Sequence, residues 1–186
     1  MIVIYDSCVL YPAPLRDLLV RLARTGLFRA HWTDAIQDEW IRNLLENRPD
    51  LSAAQLERTR KLMNAAVRDC LVTDYEGRIE NLTLPDPDDR HVLAAAIEAQ
   101  AQVIVTYNLR DFPAGALQAY GLEAAHPDDF FLRVIALDPL VVRETVETHH
   151  QSLKNPPKTP AEYLATLSNQ KLPQTVAVLG QICFKS

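Results

Sequence analysis

Cysteine is scarce in this 186-residue chain, and its three copies, Cys8, Cys70 and Cys183, lie far apart. They form neither a CxxC redox pair nor a zinc-ligand spacing, and their odd number argues against a disulfide framework. A reducing, cytoplasmic setting is therefore expected. Long apolar runs are missing too. The opening Met1-Ile2-Val3-Ile4-Tyr5 is too short for a signal-peptide core and meets an acid at once in Asp6, and no later segment could span a bilayer. The tail beyond Asp138 has no repeat or low-complexity run. A basic excess is lacking as well: the net charge of −5 counts against a general nucleic-acid binder, which normally neutralises phosphates with surplus Lys and Arg.

What is present is an apolar content of 48%, enough for one folded domain and a small appendage, and an uneven charge distribution. Arg16, Arg21, Arg24 and Arg29 crowd one early segment. Acids gather at Asp86, Asp88 and Asp89, and again at Asp128 and Asp129. An acidic pocket beside a basic flank would suit a metal-dependent nuclease, although each arginine taken singly reads equally well as part of a solvated helix face.

Hydrophobic period and punctuation give strand, then helix, repeatedly, the pattern of an α/β domain with a mainly parallel sheet. Strands are expected at Ile2 to Tyr5, within Phe28 to Trp32, at Leu71 to Thr73, at Val103 to Val105 and at Leu122 to Ala125. Helices are expected from Leu15 to before Gly26, from a Thr33 or Asp34 cap to Pro49, from Ser52 to about Cys70, through Val92 to Ile97, and from Asp128 or Asp129 to about Ala136. Tyr75 to Leu84 has no clear period. Beyond Asp138 the chain becomes a polar helix-like run to Lys154, a Pro156-Pro157 break and two short helices starting near Thr159 and Pro173, which sets a boundary near 137 between residues 1–137 and an extension of 138–186.

In open α/β sheets the functional crevice lies beyond the carboxyl ends of the strands. Asp6 follows the first strand, Thr106, Asn108 and Asp111 follow the Val103 strand, and Asp86, Asp88 and Asp89 precede the helix that feeds it. Glu39 sits between Ile36 and Trp40, at the edge of a buried helical stripe, and is preferred over its neighbour Asp38 by helix phase. Either Asp86 or Asp88 also suits a helix cap, which leaves Asp89 for the crevice. Converging carboxylates in an apolar pocket repel one another unless a cation sits among them. Oxygen ligands without a His or Cys cluster favour Mg²⁺ or Mn²⁺ over zinc. Such an ion activates water and stabilises charge on a phosphodiester. His91 reads as a packing or surface residue, and His149-His150 as a surface pair without a carboxylate partner.

The motifs Asp6-Ser7, Thr33-Asp34-Ala35-Ile36-Gln37-Asp38-Glu39-Trp40, Asp86-Pro87-Asp88-Asp89-Arg90-His91-Val92-Leu93-Ala94 and Val103-Ile104-Val105-Thr106-Tyr107-Asn108-Leu109-Arg110-Asp111-Phe112 resemble, in this order, those of the PIN domain, and in particular the VapC-type toxins of toxin–antitoxin pairs. The likeness covers about Met1 to Ala136. It implies a PIN-like three-layer α/β/α fold with a central mainly parallel sheet, followed here by a C-terminal helical extension. It implies an endoribonuclease in which Asp6, Glu39, Asp89 and Asp111 hold Mg²⁺ or Mn²⁺, with Ser7, Thr106 and Asn108 as supporting hydrogen-bonding groups. It further implies an RNA substrate such as transfer RNA, a small cognate antitoxin, a homodimer and no membrane partner. Many members carry Asp at the position of Asn108, although Asn also occurs there, so one negative charge is missing. That keeps open a catalytically inactive PIN-like module that binds RNA or protein. An aspartyl-phosphate phosphatase fits less well, because it needs a second Asp where this chain has Cys8.

Overall fold

A computed structural model describes residues 1–184. The chain order is β1 (Ile2–Tyr5), α1 (Ser7–Leu10), α2 (Ala13–Ala23), β2 (Arg29–His31), α3 (Asp34–Asn47), α4 (Ala53–Ala66), α5 (Glu76–Ile79), α6 (Arg90–Glu98), β3 (Val103–Val105), α7 (Ala114–Leu117), β4 (Glu123–Ala125), α8 (Pro127–Leu137), α9 (Pro139–Ser152), α10 (Pro160–Ser168) and α11 (Pro173–Ile182). The four strands pair in parallel in the order β2-β1-β3-β4. From β1 the chain steps one way to β2 and then crosses back to β3. Right-handed crossovers therefore place α2 and α6 on opposite faces. The result is the three-layer α/β/α arrangement with helices beyond it.

Both faces of the sheet are covered, which is why β1 and β3 read as unbroken apolar runs. On the α2 face, Tyr5 is fully buried, donates from its hydroxyl to the Leu19 carbonyl at 3.3 Å and stacks on Trp32 at 6.1 Å between centroids. Phe130 of α8 meets Tyr5 and Phe28 edge-on, at 6.1 and 5.1 Å, and so fastens α8 to the same face. Buried rings of this size dominate a core, and truncating one to Ala costs about 3–5 kcal/mol. On the other face the buried Ala94, Ala95 and Ala96 let α6 approach β1 and β3 closely.

Most expected elements are present, and the exceptions have local causes. The helix opened by the Ser52 capping box stops at Ala66, because Val67 is extended and Asp69 takes a left-handed φ of 53°. Leu71 to Thr73 gives only a parallel bridge between Trp32 and Leu71; Leu71 is exposed and Asp74, at φ 64°, turns the chain away. Neither Asp128 nor Asp129 caps α8. His126 does so through its ring Nδ1, which accepts from the Asp128 amide at 3.1 Å, with Pro127 in the first turn.

The extension folds back onto the α2 face, α9 and α10 against α2 and α11 against α8. Its expected surface histidine pair is half wrong. His149 is buried, with Nε2 3.0 Å from Asp17 Oδ2 and Nδ1 3.0 Å from the Tyr163 hydroxyl, so a carboxylate on α2 supplies the partner that the local sequence lacks. Asp128 is buried at the same junction. Its carboxylate accepts from the backbone amides of Gln174 and Thr175, at 3.1 and 2.8 Å, and thereby caps α11 from another helix. A cavity of about 500 Å³ remains between α2, α4 and the extension, and none of the candidate carboxylates lines it. Residues 185 and 186 of the expected extension lie outside the described residues.

Candidate active site

Parallel strands leave their carboxyl ends, and the residues just after them, along one edge of the sheet. Asp6 leaves β1 there as a buried N-cap of α1. One of its oxygens accepts from the Ser7 amide at 2.6 Å; the other accepts from Thr106 Oγ1 at 2.6 Å and from Cys8 Sγ at 3.0 Å. Thr106, fully buried after β3, also accepts the Asn108 amide at 2.9 Å, which closes the turn that follows. Asp111 sits at the end of that turn, its amide donating to the Asn108 carbonyl at 3.0 Å.

Glu39 reaches the same edge from α3. Ser7 Oγ donates to its Oε1 at 2.6 Å, and His91 Nε2 stands 3.4 Å from its Oε2, an ion-pair distance longer than a good hydrogen bond. Asp38, the alternative on this helix, is bound to Arg60 on the surface. Asp89 stands at the junction of a short 3₁₀ turn and α6. Asp86 is the cap of that turn, accepting the Asp88 amide at 2.9 Å, and Asp88 is exposed.

The charges of these groups act on one another. Burial pushes the Asp6 carboxyl above its usual range, and Glu39 adds to the effect, against the opposing hydrogen bonds of Thr106, Cys8 and Ser7. Asp89 is raised to about 7, first by burial and then by the charges of Asp6, Asp86, Asp111 and Glu39. Glu39 alone is held low, mainly by His91, with Ser7 helping against burial. Asp6, Glu39, Asp89 and Asp111 thus share one electrostatic neighbourhood, with Ser7 and Thr106 inside it and the exposed Asn108 at its margin. Among the described residues, no group of three Asp, Glu, His or Cys side chains is placed to hold a metal ion. The donor set nevertheless fits a hard cation, since it offers carboxylate oxygens whose mutual repulsion such a charge would relieve.

Two residues at this edge escape a reading of the sequence. Cys8, weighed as a thiol for pairing or zinc and as the residue that replaces a phosphatase's second Asp, touches Asp6 and lies 3.4 Å from Thr106 Oγ1. Its place in the first turn of a helix capped by Asp6 is the signal that could have found it. His91 meets Glu39, and its Nδ1 is buried without a hydrogen-bond partner. Nothing near it in the chain announces a partner that comes from another helix.

The expected basic flank is not beside the acids. Arg16 is buried, donates to the carbonyls of Leu10 and Tyr11 at 2.6 and 3.1 Å and lies 4.4 Å over the Trp40 ring. Arg21 is tied to Asp17 and Ser152, both at 3.1 Å. Helix α2 runs back from the carboxyl edge, so Arg24 at its end, and Arg29 opposite Ile2 in the sheet register, sit at the other edge.

A parallel sheet with acids gathered at its carboxyl edge defines the class, an α/β domain with a candidate acidic site, and the comparisons give its family. Residues 2–110 match the family described as "PIN domain", and the chain belongs to that family. Residues 127–181 match the family described as "VapC50 C-terminal domain", a match that begins before the boundary expected near 137 and takes in α8. The chain is similar to a Mycobacterium tuberculosis (strain ATCC 25618 / H37Rv) protein named "Putative ribonuclease VapC50", with 43% identity over 89 residues. That alignment covers 48% of this chain and 52% of the relative, about half the length of each. No solved structure matches. No helix among the described residues is long and apolar enough to cross a membrane.

Proposed function

We propose that this chain is a metal-dependent endoribonuclease, with Asp6, Glu39, Asp89 and Asp111 as the carboxylates that hold Mg²⁺ or Mn²⁺. The observation that carries the reading is the gathering of these acids at the carboxyl edge, where four neighbouring charges and burial push Asp89 up to about 7. A structural site would pair such charges, whereas a cluster of acids left repelling one another is characteristic of groups kept for chemistry. When bound, a hard divalent ion supplies an activated water and a counter-charge for the phosphodiester. The chain's own residues do the positioning. Thr106 and the Ser7 amide fix opposite oxygens of Asp6, Ser7 Oγ fixes Glu39, and the Asn108–Asp111 turn carries the last acid.

By its resemblance to the VapC-type toxins, and its likeness to a protein named "Putative ribonuclease VapC50", the role proposed is the toxin of a toxin–antitoxin pair, and the resemblance adds the cytoplasm, a small antitoxin as partner and a homodimer as the working form. Residues 1–137 are proposed as the nuclease and 138–186 as its extension. Helix α8 touches the sheet through Phe130, packs on α9 and α11 of the extension, and falls with the extension in the family match. The test is cleavage of total RNA and transfer RNA by partner-free protein with Mg²⁺ or Mn²⁺, with chelator, and by Asp6→Asn. Cleavage that requires both the ion and Asp6 is expected. A folded chain that binds RNA but cleaves none in either ion favours the inactive binding module, which the neutral Asn108 keeps open.

A further inference from the structure

The extension reaches the acidic edge through Tyr107, which lies between Thr106 and Asn108. The Tyr107 amide donates to Cys8 Sγ at 3.3 Å, and Cys8 touches Asp6. Its ring runs towards the extension. The hydroxyl donates to the Gln170 carbonyl at 2.6 Å, His126 packs edge-on at 5.2 Å, and the Lys171 ammonium lies 5.8 Å from the ring centroid. Lys171 itself occupies the left-handed region, at φ 58°, which a residue with a Cβ adopts reluctantly and a glycine adopts freely. Its turn is anchored on both sides. The Lys171 amide donates to the Ser168 carbonyl at 2.9 Å, Leu172 is fully buried, and Asp128 caps the helix that follows.

A glycine would make this turn more easily than lysine, so the turn does not account for the side chain. Lys171 is exposed and forms no ion pair among the described residues, although its net-acidic chain offers many carboxylates. The arginines expected to flank the acids are buried, paired or at the far edge. An acidic crevice must still hold a polyanion against its own charge; Arg42 already acts on Glu39 from α3, and Lys171 offers a second cation, from the side of the extension. We infer that Lys171 is a backbone-phosphate contact for RNA entering the crevice, held over Tyr107, so that the C-terminal extension forms part of the substrate site. The inference rests on the nuclease reading above.

The test measures binding of a fluorescein-labelled single-stranded RNA by anisotropy across a potassium chloride series, in the full chain carrying Asp6→Asn to prevent cleavage. Lys171→Gly suits the backbone and should melt no lower than its parent. It is expected to weaken binding about 5-fold and to reduce the slope of log affinity against log salt by about 0.7, the loss of one phosphate contact to a single strand. Lys171→Arg should restore both. Arg29→Gly, the same charge change at the far edge, should alter neither. Equal affinity and slope for Lys171→Gly and its parent would overturn the inference, as would weakening that Lys171→Arg does not recover or that Arg29→Gly reproduces. A parent chain that binds no RNA at any salt would bring down the nuclease reading, and this inference with it.

Discussion

Asp6 and Asp128 are both buried acids near the start of a helix, yet their surroundings treat them in opposite ways. At the junction with the extension, burial alone would raise Asp128, but the amides and side chains of Thr175 and Gln174 hold it below the usual carboxylate range. Asp17 behaves likewise: burial opposes, and the His149 bond with Arg21 wins. At the carboxyl edge, burial raises both Asp6 and Asp89, and nearby acids add to it: Glu39 at Asp6, where hydrogen bonds only partly oppose, and four carboxylates at Asp89. The difference separates acids whose charge is satisfied inside the molecule from acids left raised, the ones proposed above to meet a ligand, although all four are the same residue type.

The sharpest way to break this contrast is to neutralise one acid of each kind. Asp6→Asn is expected to lower RNA cleavage by about 10³-fold or more, since several kcal/mol of transition-state stabilisation go with the ion site, while the folded state is retained. Single-turnover cleavage and circular dichroism check the two halves. Asp128→Ala should do the reverse. It leaves two amides of α11 uncapped and should cost about 1–2 kcal/mol in urea unfolding, with the rate per folded molecule kept.

A smaller effect is expected around Glu39. Ser7→Ala and His91→Ala each remove a group that orients it, and each should weaken Mn²⁺ binding by about 10- to 100-fold in calorimetry, the usual range for groups that hold a ligand in place. Unchanged affinity in both would sever Glu39 from the ion site.

The gentlest probe is pH in chelator, where the two regions should respond with opposite sign. Asp89, raised to about 7, keeps a proton in the folded chain that the unfolded chain has already lost. Between roughly pH 4 and 7 its effect on stability therefore worsens as pH rises, and saturating Mn²⁺ should remove that trend. Asp17 is lowered, so its contribution is present above the ordinary carboxylate range and is lost as pH falls through its folded value. Thermal midpoints of Asp89→Asn and Asp17→Asn against the parent, from pH 3 to 8, test both. Parallel curves for the two variants would mean that the regions do not differ as argued.

The same contrast explains what could be read in advance. Ile2–Tyr5 and Val103–Val105 are legible because strands buried on both faces are apolar throughout, and the acids that follow them fall at one edge by topology alone. Leu71 to Thr73 misleads because its β-prone residues pair only once, at Leu71, before Asp74 turns the chain away. Asp128 reads as a helix start because acids favour first turns, and only the return of α11 gives it another employment. His149 reads as exposed because its partner, Asp17, lies on a distant helix.

By itself the sequence determined the order of strands and helices, and the placing of Asp6, Thr106 and Asp111 at one edge, since alternation and strand ends are properties of consecutive residues. Tertiary structure alone decided which charges are satisfied. It paired His149 with Asp17, buried Arg16 against Trp40, carried Arg29 to the far edge and set Lys171 over Tyr107. Those outcomes depend on contacts between segments far apart in the chain, and a charge has no fixed role until its neighbours and its access to water are set.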